Sequence, residues 1–180
     1  MSAVLTAPLC TVRLKRPHVA QQHFLRSTAL RRVVRAGRRS GKTTGLAIFA
    51  VEEFLRGARV LYAVPTAEQI QRFWHEVCLF LSEPIAEGLY KKNETWHTIE
   101  LPGTEQRIRA KTAFNADTLR GDYATRLILE EFSLMNEDAW AIVGAPMMLD
   151  RAGSCAIFAY TPPSFRNAGV SKAHDPRHAA

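Results

Sequence analysis

The residues best suited to chemistry lie in a glycine- and arginine-rich segment, residues 37–44, with the sequence Gly-Arg-Arg-Ser-Gly-Lys-Thr-Thr. A β-branched pair precedes it and an apolar, helix-forming run follows it. Such a loop binds phosphate through backbone N–H groups at a helix N-terminus, with Lys42 facing the β and γ phosphates and the Thr43 hydroxyl holding Mg²⁺. The common pattern G-x-x-x-x-G-K-[ST] would begin at Ala36, so Gly37 comes one residue late. The alternative is a basic surface turn between a strand and a helix.

Two adjacent carboxylates, Glu130 and Glu131, directly follow the apolar run 127–129. A nucleoside triphosphatase needs a metal anchor and a group that activates water, both at a strand end beside the phosphate loop. We predict that Glu130 holds hydrated Mg²⁺ and that Glu131 orients and deprotonates the attacking water. Asp is usual at the metal position, and Glu is longer by one methylene, about 1.5 Å. The alternative is an acidic pair on the surface at a strand end.

Further candidates for nucleotide contacts lie within and outside the loop. Arg38 or Arg39 could stabilise charge on the γ-phosphate as an arginine finger in cis, or both could bind DNA phosphates as solvated side chains. Thr161 directly follows the last predicted strand and could sense the γ-phosphate, while the amide of Gln21 could bind an adenine edge. The predicted ATP-binding set is Gln21, Gly37, Arg38, Arg39, Ser40, Gly41, Lys42, Thr43 and Thr44.

The composition is that of a folded protein with a basic excess. Hydrophobic residues make up 47%, and 24 Lys and Arg against 17 Asp and Glu give a net charge of +7. The basic excess fits contact with nucleic acid, although a merely basic enzyme is the alternative. The three cysteines follow no metal-ligand spacing. No apolar run approaches the ~20 residues that a membrane span requires. The N-terminus lacks the positively charged region of a signal peptide. We therefore expect a cytoplasmic protein without a membrane partner.

Alternating strand and helix patterns should position these residues. Apolar runs predict strands at 31–36, 60–64, 96–101, 107–111, 125–129 and 155–160, of which 96–101 and 107–111 form a hairpin. Helical patterns cover 18–30, 43–56, a segment capped by Thr66 and extending to Leu81, and 136–149. This alternation predicts an α/β fold in which helices flank both faces of a mostly parallel sheet.

Six segments resemble, in order, motifs of the ATPase part of the large terminase subunit of tailed bacteriophages. They are residues 17–21 (the adenine-contacting Gln segment), 37–43 (a variant phosphate loop), 61–66 (a helicase-like motif), 119–121 (which precedes the acidic strand), 129–135 (the Walker B segment) and 160–163 (the coupling motif). The main departure within these motifs is Glu130, which stands where the family usually has Asp.

This resemblance implies a P-loop NTPase of the helicase-like (ASCE) type that hydrolyses ATP with Mg²⁺ to drive DNA into a procapsid. It implies that Arg38 is the cis-acting finger and that Thr161 couples hydrolysis to movement. The implied partners are double-stranded DNA, a portal protein, a small terminase subunit and further copies of the chain in a ring on the portal. The implied compartment is the bacterial host cytoplasm.

The resemblance also divides the chain. Residues 1–17 are expected to be an irregular lead-in, residues 18–163 the ATPase domain and residues 164–180 a loose tail. The family carries an RNase-H-like nuclease domain after the ATPase, and the sequence leaves no room for one, so we expect a truncated product that does not cut DNA. Two other functions stay open: a helicase-like DNA-dependent ATPase, and a non-catalytic remnant that binds DNA or a partner.

Overall fold

The computed structural model describes residues 10–113, 122–136, 138–148 and 152–162. Its strands are β1 (Arg31–Arg35), β2 (Arg59–Val64), β3 (Lys91–Asn93), β4 (Thr98–Glu100), β5 (Arg107–Thr112), β6 (Arg126–Glu130) and β7 (Cys155–Tyr160). Its α-helices are α1 (Val19–Leu25), α2 (Lys42–Leu55), α3 (Ala67–Phe80), α4 (Ser82–Ala86) and α5 (Ala145–Met147). A 3₁₀ turn (Phe132–Leu134) and a π-helical segment (Ala139–Gly144) lie between β6 and β7.

The seven strands form one sheet in the order β1-β7-β6-β2-β5-β4-β3. The first five are parallel, and β4 and β3 extend the sheet in antiparallel pairing beyond β5. The predicted mostly parallel sheet is therefore confirmed. Because β7 lies between β1 and β6, the residue after β7 falls between the loop that follows β1 and the acids that end β6. In open parallel sheets, ligands bind outside the carboxyl ends of the strands.

Both faces of the sheet are buried, as the helix pattern predicts. Successive strand residues point to opposite faces, so β2 and β6 contribute alternate side chains to two cores. The first core lies under α2 and α3 and includes Leu46, Phe49, Phe54, Tyr62, Val64, Phe73, Trp74, Ile108, Ile128 and Ile157. The second lies under the π-helical segment and includes Leu61, Leu127, Leu129, Met135, Trp140 and Phe158.

Several boundaries differ from the prediction for identifiable reasons. The strand predicted at 31–36 lies at the edge of the sheet and ends at Arg35; its residues alternate between exposed (Arg31, Val33, Arg35) and half-buried positions. The helix predicted over 18–30 ends at Leu25, and Ala29 is turned by a hydrogen bond from its N–H to the Ser27 hydroxyl. Residues 83–93, which belong to none of the predicted strands and helices, contain most of α4 and all of β3, which pairs with β4 as a third antiparallel strand.

The helix predicted over 136–149 is mostly π-helical, and Pro146, which has no backbone N–H to donate, lies where the π-helical segment continues into α5. Within the described ranges, none of the helices has both the length and the apolar character that crossing a membrane requires. The segment 119–121, most of the predicted lead-in and the predicted tail lie outside those ranges.

Candidate nucleotide-binding site

The loop between β1 and α2 has the backbone of a phosphate-binding turn. Gly41 precedes the helix in a left-handed conformation (φ 77°), which an L side chain rarely adopts. A Cβ at this position would also lie 3.0 Å from Nε2 of Gln21. Arg39 is left-handed as well (φ 61°). These turns bring the chain into α2, whose first-turn N–H groups lack intrahelical partners and carry the positive end of the helix dipole.

Lys42 connects the loop to the acidic strand end. Its side chain is almost completely buried, and Nζ donates to Oε1 of Glu131 at 2.6 Å and to Oγ1 of Thr161 at 2.9 Å. The structure therefore brings together Lys42, Glu131 and Thr161, of which the first and last are 119 positions apart in the sequence. The strand order places them side by side. The ammonium group lies at the edge of a cleft, with its charge balanced by one carboxylate.

Glu131 follows β6 in a left-handed conformation (φ 54°), which costs a non-glycine residue about 1 kcal/mol or more. This turn directs its carboxylate towards the loop instead of along the strand. Besides Lys42, the carboxylate accepts hydrogen bonds from the backbone N–H (3.3 Å) and the hydroxyl (2.9 Å) of Thr161. Burial alone would raise the pKa of Glu131, but Lys42 and Thr161 outweigh burial and lower it. The group is therefore an ionised carboxylate held by donors.

Glu130 is the last residue of β6 and points to the opposite face, where it is 4% exposed. Oε1 accepts a hydrogen bond from Thr43 Oγ1 at 2.7 Å, and Oε2 accepts one from Tyr62 Oη at 2.6 Å. Burial raises the pKa of Glu130 above its ordinary value, despite these two donors and the charge of Lys42. The adjacent acids therefore occupy opposite electrostatic environments.

The oxygen donors at this point fit Mg²⁺. Thr43 donates its hydroxyl proton to Glu130, which leaves the oxygen lone pairs of Thr43 for a cation. Mg²⁺ prefers oxygen ligands and usually combines one or two protein groups with water and substrate phosphates. In the described part of the chain, no group of three or more His, Cys, Asp or Glu residues could hold a metal by itself. The site therefore suits a metal that arrives with a phosphate ligand.

The cleft between the loop and the strand ends has a volume of about 370 Å³. It contains four basic side chains against two acids, a balance that favours an anion. The Ser40 hydroxyl is buried without a hydrogen-bond partner among the described residues, an unsatisfied polar atom that a ligand could complete. The lining residues are Gly37, Arg38, Arg39, Ser40, Gly41, Lys42, Thr43, Arg72, Glu130, Glu131 and Thr161.

Arg72 was not predicted from the sequence. It lies on the exposed side of α3, the helix that begins just beyond the carboxyl end of β2. A basic residue on the outer face of an amphipathic helix is common, so its type and spacing carry no distinguishing signal. Its nearness to the cleft follows only from the sheet order.

Two predicted ATP-binding residues lie behind the loop and not in the cleft lining. Gln21 is buried, and its amide donates to the carbonyl of Gly41 (2.7 Å) and accepts from the N–H of His18 (2.9 Å). Thr44 donates to Glu76 on α3 at 3.2 Å. Both residues hold the loop in place, and their predicted contacts with nucleotide stay predictions.

No protein-family model and no curated protein sequence matches this chain. Solved structures of similar fold include the large terminase ATPase domain of Thermus phage P74-26, with a TM-score of 0.69 and 23% identity over 82% of this chain and 66% of that one. The large terminase of bacteriophage HK97 aligns with a TM-score of 0.67 and 13% identity over 81% of this chain and 33% of that one. The large terminase of a thermophilic bacteriophage, in complex with ADP, aligns with a TM-score of 0.59 and 15% identity over 79% of this chain and 38% of that one.

These alignments show that the chain has the α/β fold of large terminase ATPase domains, in agreement with the fold class predicted from the sequence. The chain spans about two thirds of the P74-26 ATPase domain and between a third and two fifths of the other two terminases.

Proposed function

We propose that this chain is the ATPase module of a DNA-packaging motor, which hydrolyses ATP with Mg²⁺ to translocate DNA into a procapsid. The observation that carries the proposal is the convergence of Lys42, Thr43, Glu130, Glu131 and Thr161 on one cleft at the carboxyl edge of the sheet. A phosphate loop, an oxygen pair for a metal and an ionised carboxylate are the parts that triphosphate hydrolysis needs.

Binding of a triphosphate would change the partner of Lys42. Its ammonium group neutralises Glu131 at 2.6 Å, and the incoming phosphates compete for the same charge. When Lys42 moves to the phosphates, Glu131 loses its strongest hydrogen-bond donor and becomes available to a water molecule. The Lys42–Glu131 pair therefore keeps the base inactive until substrate is bound.

Glu131 is the proposed general base. Thr161, which directly follows β7, would respond to changes at Glu131. Thr161 contacts both Lys42 and Glu131 through its hydroxyl. A change at either partner therefore alters the contacts at the start of the segment that follows β7. This placement supports a role for Thr161 in coupling hydrolysis to movement.

Charge stabilisation is assigned to the exposed arginines of the loop. Arg38 and Arg39 line the cleft, and neither forms an ion pair with another described residue, so either is able to reorient towards a γ-phosphate. Arg38 is the proposed cis-acting finger. Bound next to Thr43 and Glu130, Mg²⁺ would supply electrostatic stabilisation of the phosphate oxygens.

The proposed polymer substrate is double-stranded DNA. The net charge of +7 supports sequence-independent binding to phosphates that weakens steeply with salt, because counterions are released on binding. The further proposed partners are a portal protein, a small terminase subunit and other copies of the chain arranged in a ring. The proposed compartment is the cytoplasm of a bacterial host.

The test is nucleotide binding by Lys42→Ala, measured by calorimetry with ATP and Mg²⁺. We expect affinity to fall at least about a hundredfold, because the buried cation facing the phosphates is lost. Lys92→Ala is the matched control: Lys92 also pairs with a glutamate, Glu94 at 2.7 Å, but does not line the cleft. This control should bind ATP like the unmodified chain.

Equal affinity in Lys42→Ala and the unmodified chain would disprove the nucleotide site. Phosphate release with and without duplex DNA then distinguishes the candidate functions. DNA-stimulated hydrolysis without strand separation supports the motor, and strand separation supports a helicase-like enzyme. DNA binding with no hydrolysis supports a non-catalytic protein.

A further inference from the structure

A buried tyrosine contacts the acid to which the metal role is assigned. Tyr62 lies in the centre of β2, paired in register with Ile128 of β6. Glu130 is two residues further along β6 and so on the same face of the sheet. The Tyr62 hydroxyl donates to Oε2 of Glu130 at 2.6 Å, while the other carboxylate oxygen accepts from Thr43.

The ring of Tyr62 is immobilised by its surroundings. Its side chain is 0% exposed, and it stacks on Phe73 of α3 with ring centroids 3.7 Å apart and planes 1° from parallel. A buried phenol hydroxyl needs a partner, and an ionised carboxylate can only accept, so the direction of the hydrogen bond is fixed. Burial, followed by the charge of Glu130, raises the pKa of Tyr62 well above its ordinary value, so the phenol keeps its proton.

The hydrogen bond from Tyr62 restrains the long side chain of Glu130. A glutamate has one more rotatable bond than an aspartate, so its carboxylate samples more orientations unless something restrains it. Tyr62 restrains one oxygen from a rigid strand, and the other is thereby presented to Thr43. Hydrogen-bond donors that lie behind a metal ligand orient it and commonly determine metal affinity.

We propose that Tyr62 is a positioning residue that holds Glu130 in the orientation required for the nucleotide-bound metal. This inference rests on the proposed function, because it assigns Glu130 to the metal of an ATP·Mg²⁺ complex. Tyr62 itself does not line the cleft, and its hydroxyl reaches the site only at the Glu130 carboxylate. It acts through Glu130 alone.

The experiment compares ATP affinity in Mg²⁺ with ATP affinity in excess chelator, for the unmodified chain and for Tyr62→Phe. Phenylalanine keeps the ring stacked on Phe73 and removes only the hydroxyl. We expect the gain in affinity due to Mg²⁺ to fall by about tenfold, while metal-free affinity changes less than about twofold. Tyr90→Phe is the control, because Tyr90 packs edge-on against Phe54 in the same core and does not line the cleft.

A second variant separates positioning from packing. Glu130→Asp shortens the side chain by about 1.5 Å, so the carboxylate cannot keep both the Tyr62 and the Thr43 contact. In the Glu130→Asp background, Tyr62→Phe should therefore reduce the Mg²⁺ gain by less than about twofold. A purely structural tyrosine would give the same loss in both backgrounds.

The outcomes separate this inference from the function on which it rests. If the unmodified chain binds no nucleotide in either condition, the proposed function fails and the role of Tyr62 fails with it. If the unmodified chain binds ATP with a Mg²⁺ gain that Tyr62→Phe retains, only the positioning role is overturned. Loss of a cooperative thermal transition in Tyr62→Phe, with Glu130→Asp still folded and responsive to Mg²⁺, would also overturn it in favour of packing.

Discussion

Two charged clusters of this protein are partly buried, but their charges have different surroundings. The cleft cluster consists of Lys42, Glu130 and Glu131 at the carboxyl ends of the strands. The β5 cluster consists of Arg107, Arg109 and Lys111, at alternate positions of one strand and thus on one face, around the carboxylate of Asp122. Asp122 pairs with the three cations at 2.9, 2.9 and 2.8 Å, and its side chain is 5% exposed.

The difference lies in what surrounds the charges. In the β5 cluster both oxygens of one acid bond to cations of the neighbouring strand. In the cleft cluster, Lys42 and Glu131 meet at the wall of a cavity that Arg38 and Arg39 also line. An ion pair enclosed by its own protein stabilises the fold or fixes its geometry, whereas one that borders an anion-sized cavity is able to exchange partners with a ligand.

The largest effect should come from Glu131→Gln. Glutamine keeps the shape and much of the hydrogen bonding but cannot accept the proton of water, so we expect ATP turnover to fall by about 10²- to 10⁴-fold. Nucleotide should still bind, because Lys42 loses a competing carboxylate and remains free for the phosphates. Phosphate release and calorimetry on the same preparation measure the two quantities.

Glu94→Gln is the control for that variant, since Glu94 also accepts hydrogen bonds from a lysine and a tryptophan but lies outside the cleft. Its turnover should match that of the unmodified chain. Normal hydrolysis by Glu131→Gln would show that another group activates water and that the Lys42–Glu131 pair is structural, like the β5 cluster.

The second effect concerns stability. Asp122→Asn removes the carboxylate from three partly buried cations and leaves their charges without compensation, so the free energy of unfolding should fall by about 3 kcal/mol. ATP affinity of the folded protein should not change, because Asp122 does not line the cleft. Urea unfolding measures the first quantity, with the exposed Asp138→Asn as control. A loss of ATP affinity at full stability would mean that the β5 cluster also serves the site.

The comparison of the cleft cluster with the β5 cluster also shows which residues of the site could be predicted from the sequence. The phosphate loop and the acids are local in sequence, and each directly follows an apolar strand, so their convergence follows from the rule that ligands bind at the carboxyl edge. Thr161 was predictable for the same reason. The helix after this loop, predicted to begin at residue 43, begins one residue earlier, at Lys42.

Other features depend on packing between distant elements and leave no local signal. The inward position of Gln21 depends on the close approach of α1 to α2, where a Cβ on Gly45 would lie 2.7 Å from the Phe24 ring. The Tyr62 contact requires β2 to lie beside β6, and Tyr62 otherwise belongs to an ordinary apolar strand. The β5 cluster requires an acid that follows a segment outside the described residues.

The smallest expected effect compares the two acids of the cleft cluster, Glu130 and Glu131, through the pH dependence of the free energy of unfolding. Burial raises the pKa of Glu130, so its carboxyl binds a proton more tightly in the folded than in the unfolded chain. Its ionisation therefore lowers the free energy of unfolding as the pH rises through the raised folded pKa. Glutamine stays neutral and is able to accept from Thr43 while donating to Tyr62. Glu130→Gln should therefore be more stable than the unmodified chain by about 1 kcal/mol at neutral pH.

That advantage should disappear as the pH falls through the raised pKa towards the ordinary value of 4.5, where Glu130 itself becomes neutral. Glu131→Gln should show the opposite sign, because Lys42 and Thr161 lower the pKa of Glu131. Its carboxylate contributes stability above the ordinary value, and this contribution is lost as the pH falls through the lowered folded pKa. Urea unfolding of both variants at several pH values between about 2 and 8 measures the two curves, because the Glu131 contribution changes below the ordinary carboxyl pKa and the Glu130 contribution above it. The two stability differences, each variant minus the unmodified chain, could instead have the same sign or not vary with pH. Either result would mean that Glu130 and Glu131 share one electrostatic environment. It would remove the electrostatic support for assigning one acid to the metal and the other to the base.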